Sequence, residues 1–221
     1  MTDSEPVTDA EPVTRVLLAS RNAKKLDELR RILAGTGVPV ELVGLDDVPE
    51  YPQTPETGLT FEENALLKAR AGAQATGLPA VADDSGLAVD ALGGMPGVFS
   101  ARWSGRHGDD AANLDLVLAQ LADVPDGHLG AAFVCAAAVA FPDGREFVTH
   151  GRQAGRLIRH PRGDGGFGYD PAFVSAGNTR TNAELAPAEK DAISHRGQAL
   201  RALADVISAH LRAAAEGRGR G

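Results

Sequence analysis

Two short apolar runs, Val16–Ser20 and Val40–Val43, enclose a segment whose apolar residues recur at helical spacing. Leu26, Leu29, Ile32 and Leu33 form that stripe; Asn22 offers it an N-cap, and Gly35 and Gly37 stop it. A strand–helix–strand opening points to an α/β architecture, because each element must bury its apolar side against another. The alternation continues. Thr60 and Glu63 give a capping-box signature for a helix to about Thr76. Its Ala65, Ala69 and Ala73 are small enough for close packing on a sheet. Leu78–Ala82 reads as a short strand, Asp83-Asp84-Ser85-Gly86 as an abrupt polar turn, and Leu87–Leu92 as extended again. Asp109 to about Leu121 reads as helix. Ala131–Phe141 and Arg145–Gly151 read as a hairpin around Pro142-Asp143-Gly144, with more strand to Ile158. Leu200, Leu203, Ile207 and Leu211 mark a long final helix. The expectation is an α/β protein with a mixed sheet, a single domain over residues 15–212. Residues 1–14, with EPVT twice, read as a disordered acidic tail, and 213–221 as a flexible one.

Net charge is −8, with four acids in the first fourteen residues. A duplex-binding protein would show a basic face, so a nucleic-acid polymer is not an expected partner. No apolar run approaches the roughly 20 residues of a membrane span. The N-terminus lacks the basic and apolar regions of a secretory signal. A lone cysteine, Cys135, cannot form an internal disulfide, which fits a reducing compartment, most simply the cytoplasm. The basic residues are 18 Arg and only 4 Lys, so Lys24, Lys25, Lys68 and Lys190 stand out.

Four stretches could carry chemistry. Ser20-Arg21-Asn22-Ala23-Lys24-Lys25 joins a strand to a helix, where free N–H groups and the dipole favour anions; its ordinary alternative is a turn with solvated lysines. Asp83 and Asp84 are adjacent carboxylates that make sense around a cation such as Mg²⁺; the alternative is a solvated acidic turn. Residues 163–171 combine four glycines with Phe167 and Tyr169, rings able to stack on a base, and Asp170, an acceptor; the alternative is a flexible hairpin. Lys190, His195 and Arg196 offer donors to phosphate or base; the alternative is helix capping by Ser194 with solvated charges. The remaining histidines, His107 among them, read as surface or structural. Cys135 reads as an inert core thiol.

LLASRNAKKLDEL at 17–29, ETGLTFEENALLKA at 56–69, ADDSGLAVDALGGMPGVFSARWSG at 82–105, GGFGYDPAF at 165–173 and ELAPAEKDAISHRGQAL at 184–200 occur in that order. Together they resemble the inosine/xanthosine triphosphate pyrophosphatase family from about Arg15 to about Leu211. The resemblance implies two α/β lobes around a long mixed sheet with the active cleft between them, and a homodimer. It implies Mg²⁺-dependent hydrolysis of purine nucleoside triphosphates carrying deaminated bases (ITP, dITP, XTP) to monophosphate and pyrophosphate.

Carried over residue by residue, the resemblance places the triphosphate on Ser20, Arg21, Asn22, Ala23, Lys24 and Lys25. Arg21 is bulkier than the small residue often found there. Asp84 becomes general base and metal ligand, with Glu56 as the second acid and Glu50 a weaker choice. Ser85 becomes a substrate contact, Phe167, Gly168, Tyr169 and Asp170 the base pocket, and Lys190, His195 and Arg196 the remaining contacts. The mechanism expected has Lys25 and Lys190 holding the triphosphate, and Arg196, with His195, donating to a 6-oxo purine. Competing readings are a related pyrophosphatase for other nucleotides and a nucleotide sensor without turnover.

Overall fold

A computed structural model describes residues 14–218. Its core is a six-stranded mixed sheet of β1 (Thr14–Leu18), β2 (Val40–Val43), β3 (Ala80–Val89), β4 (Gly130–Ala140), β5 (Glu146–Leu157) and β6 (Phe173–Ser175), in the order β2-β1-β3-β4-β5-β6. The β1 strand runs parallel to β2 and β3, while β3 to β6 pair antiparallel. Five helices complete it: α1 (Ala23–Ala34), α2 (Phe61–Thr76), α3 (Asp110–Gln120), α4 (Pro187–Ile193) and α5 (His195–Arg218).

The long strands β3, β4 and β5 cross from one packed lobe to another. In the first lobe the sheet is covered on both faces. Leu29, Ile32 and Leu33 of α1 and Leu200, Leu203 and Ile207 of α5 bury Val16, Val81 and Val139. On the other face the alanine stripe of α2 lies on Ala80, Ala82, Ala136 and Ala138. Methyl-on-methyl packing brings that helix close to the strands, as the sequence suggested. In the second lobe α3 contributes Leu114 and Val117 over Leu87, Val89, Phe133 and Leu157.

Caps at Asn22, Thr60 and Asp109 are all present, each side chain accepting from a first-turn N–H. Glu63 does not return to Thr60; it accepts instead from Leu59 N–H at 2.6 Å. Further expectations are corrected. The Asp83–Gly86 stretch is not a turn between two strands. Ten residues of β3 pair without a break, from Ala80↔Ala140 to Val89↔Ala131, and its acids are neutralised sideways by distant cations. The first strand leaves the sheet after Leu18, and it begins at Thr14, inside the stretch read as tail; residues 1–13 lie outside the described residues. The last helix continues to Arg218, past the boundary placed at 212, and it starts at His195. Finally, α4 was not foreseen.

Candidate active site

The cleft opens where β1 stops. Ala19 N–H still bonds Val81 O at 2.8 Å, and the chain then turns into α1, leaving the next residues of β3 without a neighbour on that side. This is a topological switch point, beyond the carboxyl end of a strand whose two neighbours lead in opposite directions. The cavity there is about 810 Å³ and takes its walls from both lobes.

The entrance is the β1–α1 junction. Asn22 Oδ1 accepts from Lys25 N–H at 3.2 Å, and Asn22 N–H donates to Ser20 Oγ at 3.3 Å. Ala23 is the first helical residue and offers only backbone. Arg21 donates to Tyr51 O at 2.7 Å and lies over the Tyr51 ring, which answers where this bulky residue goes.

On the floor, Asp83 and Asp84 take opposite faces of β3, as period-two alternation requires. Asp83 faces α1 and α5. Its Oδ2 lies 3.4 Å from Lys25 Nζ, accepts from Arg196 Nε at 3.1 Å and from Ser85 Oγ at 3.3 Å. Burial opposes its charge, but Lys25, Arg196 and Lys68 outweigh burial and hold its pKa well below the usual carboxylate range. Its Oδ1 is buried with no protein partner.

Asp84 faces α2. Asn64 Nδ2 donates to it at 3.1 Å, and Lys68 Nζ lies 3.6 Å away. Burial raises its pKa, nearby Glu56 adds to that, and Lys68 and Lys25 only partly offset it. Lys68 also donates to Glu56 Oε1 at 2.9 Å, and Arg102 meets the other oxygen of Glu56 at 3.3 Å. Burial would lift the Glu56 pKa, yet Lys68, Lys25 and Arg102 bring it below normal. Two acids from separate elements thus converge on one cationic position, and the acid that meets Lys68 is Glu56, not Glu50.

That donor set fits a magnesium ion, which takes one or two carboxylates and leaves its remaining positions to water and phosphate. Among the described residues no group of three or more His, Cys, Asp or Glu is placed to hold a metal by itself. Glu56 and Asp84 are therefore the residues that would hold it.

The far wall is aromatic. Phe167 lies 5.0 Å from Lys190 Nζ and 5.6 Å from the Arg196 guanidinium carbon, measured to the ring centroid. Lys190 is buried between Glu28 Oε1 at 2.8 Å and Asp170 Oδ2 at 2.7 Å. This sets it beside the aromatic ring, on the cleft wall. Asp170 accepts from Lys190, from Asn182 Nδ2 at 3.1 Å and from Phe167 N–H at 2.9 Å. Its carboxylate is thus bonded to the protein on both oxygens while the residue lines the cleft. Tyr169 is buried with its hydroxyl donating to Ser100 O at 2.8 Å, so it anchors the loop and Phe167 is the ring left for stacking.

Arg196 donates from all three nitrogens: Nη1 to Glu28, Nε to Asp83 and Nη2 to Ser85 Oγ. His195 stacks on Phe133 with centroids 4.8 Å apart, and its buried Nδ1 has no partner. Burial first, then Arg196 and Lys190, push its pKa well below the usual histidine value, so it is a neutral imidazole. Both residues occupy the first turn of α5, capped by Ser194, whose Oγ accepts from Gly197 N–H at 2.9 Å. Gly151 of β5 makes this possible: a Cβ there would overlap the His195 carbonyl and press on Ala199 N.

The residues marked from sequence meet in one cleft, apart from Ala23, Lys24 and Glu50, which do not line it. Sequence reasoning missed Glu28, Asn64, Lys68, Arg102 and Asp110, and it placed His107, which lines the cleft, on the general surface. One signal was available for Lys68: lysine is scarce, and all four lysines lie at the cleft or on its rim. Cys135 is fully buried and burial raises its thiol pKa, in keeping with an inert core position. No described helix is long and apolar enough to cross a membrane.

Comparison with known proteins places this cleft in context. The profile of the Ham1 family matches residues 16–206. A protein of Nocardia farcinica named dITP/XTP pyrophosphatase is 66% identical over 198 residues, 89% of this chain and 96% of its own length. A crystal structure described as a nucleoside-triphosphatase / dITP/XTP pyrophosphatase from Mycobacterium abscessus is 64% identical, with TM-score 0.70 over 86% of this chain and 97% of that one. A HAM1 protein from Coxiella burnetii is 42% identical, with TM-score 0.78 over 89% and 99%.

Proposed function

The chain belongs to the Ham1 family, and on that premise we propose that it is a pyrophosphatase that hydrolyses deaminated purine nucleoside triphosphates (dITP, ITP and XTP) to monophosphate and pyrophosphate. The observation that carries this reading is the convergence of Lys25, Lys68 and Lys190 on the cleft that holds Asp84, with the fourth lysine, Lys24, at its rim on Asp110.

The residues divide the work along the cleft. Lys25, Lys24 and the N–H groups that open α1 receive the phosphates, where the helix dipole favours anions. Asp84 takes the proton of the attacking water. Asn64 and Lys68 fix its orientation. Magnesium, held by Glu56 and Asp84, would supply neutralisation of charge on the leaving pyrophosphate. The Phe167 face receives the base. Arg196 and neutral His195 present donors that match a 6-oxo group and mismatch an adenine amino group, a polar mismatch that can reject by up to about 10⁴-fold. A lone buried cysteine supports a cytoplasmic enzyme, and the family supports a homodimer.

The test is product analysis with ITP, XTP, GTP and ATP, with MgCl₂ and with EDTA. Pyrophosphate and monophosphate are expected from ITP and XTP, lost in EDTA. Hydrolysis of all four would remove the base readout and keep the chemistry. Binding without release would establish a sensor. An Arg196→Ala variant should lower ITP turnover more than ATP turnover; an equal loss would refute the 6-oxo match.

A further inference from the structure

One carboxylate outside every motif noted in the sequence ties the two ends of the cleft together. Asp110 opens α3, one place after its Asp109 cap. Its Oδ2 accepts from Lys24 Nζ on α1 at 3.2 Å and from the Gly168 backbone N–H at 3.1 Å. These partners are 86 and 58 residues away in sequence. The aromatic loop is thereby fastened on two sides, Phe167 N–H to Asp170 and Gly168 N–H to Asp110. Lys24 Nζ in turn lies 5.9 Å from the Phe167 ring centroid.

The ion pair is exposed, so it adds little to folding. What it supplies is placement, and misplacement by about 1 Å can cost on the order of 100-fold in rate. Resting on the reading of the cleft as a deaminated-purine triphosphate site, we propose that Asp110 is a positioning residue that serves both ends of the substrate. Through Gly168 it fixes the height of Phe167 for the base. Through Lys24 it keeps an ammonium at the entrance, where the triphosphate takes it over.

Three variants separate these jobs. Asp110→Asn keeps an acceptor for Gly168 N–H and removes the charge. Asp110→Ala removes both, and Lys24→Met removes only the ion pair. Asp110→Ala should reduce the ITP-to-ATP ratio of kcat/KM by about five- to tenfold, the worth of one lost hydrogen bond. Asp110→Asn should restore that ratio to within about twofold of the parent protein. Lys24→Met should raise KM for ITP by about tenfold, a lost charged contact, and leave the ratio unchanged. Thermal melts of all three should agree closely. The proposal is overturned by an unchanged ratio in Asp110→Ala, by an equal fall in Asp110→Asn, or by a loss that follows melting temperature alone. Should the parent protein release nothing from ITP, the function proposed above fails by itself. Calorimetry with inosine monophosphate then decides this proposal: weakened by Asp110→Ala and restored by Asp110→Asn supports it, and equal affinity in all proteins refutes it.

Discussion

Asp83 and Asp84 are chain neighbours that act on opposite faces of β3, one locked to Lys25 and Arg196 and the other reaching Asn64 and Lys68. The strand between them lets one acid be held strongly ionised while the other is destabilised as an anion. Environments that drive two carboxyl groups apart mark a division between structural and chemical roles.

Asp84→Asn should lower turnover of ITP by about 10² to 10⁴-fold, the usual worth of a positioned base. Melting temperature in EDTA should hold or rise, because the group replaced is a buried anion whose raised pKa disfavours its charge. Near-parental turnover with MgCl₂ would remove Asp84 from the chemistry.

Glu28→Gln should weaken folding by about 3 kcal/mol at neutral pH, the lower end for breaking a buried ionic cluster, since Lys190 keeps Asp170 and Arg196 keeps Asp83. Burial works against the Glu28 charge, and Arg196 and Lys190 overcome it, so the folded pKa lies below the ordinary 4.5. A depressed carboxylate gives stability that is present above the unfolded value and is lost as pH falls through the folded one. Urea denaturation from pH 7 to pH 3 should show the parental protein losing stability below about pH 4.5 as Glu28 takes up a proton, with a flatter profile for the variant.

Lys68→Met leaves Glu56 and Asp84 without the ammonium they share. In EDTA the melting temperature should fall. The gain in melting temperature on adding MgCl₂ should be larger than in the parental protein, because the ion no longer displaces a resident cation. An equal gain in both proteins would mean that the two carboxylates are not where magnesium binds.

Gly151→Ala tests the seat of α5. The added methyl must displace the turn carrying His195 and Arg196. Overpacking of this sort costs about 1–3 kcal/mol. Steady-state kinetics should show a raised KM for ITP beside the lowered melting temperature; a stability loss with KM intact would mean that this turn does not touch substrate.

Elements governed by local chemistry were legible in the sequence. The bounds of β2, the stop of α2 at Thr76 and the caps at Asn22 and Thr60 follow from neighbours within a few residues. The continuity of β3 was not legible. Asp-Asp-Ser-Gly has the composition of a turn, and the cations that make it tolerable inside a sheet come from α1, α2 and α5. Glu28 was hidden in a similar way: on α1 it adjoins Leu29 in the core and looks like a solvent position until Lys190 and Arg196 arrive from far along the chain. Sequence shows which residues carry donors and acceptors, but not which of them bond each other, as Asp170 and Lys190 do.

The gathering of all four lysines at the cleft has a consequence for anyone handling this protein. Elsewhere its positive charge is carried by arginine, so side-chain primary amines occur at no other place. Apart from the α-amino group, an amine-selective reagent reads the cleft, Lys24 first, with its side chain 61% exposed, well before Lys25, Lys68 and Lys190 at 16%, 17% and 7%. The same arrangement makes coupling to a surface through lysines a way of blocking the entrance.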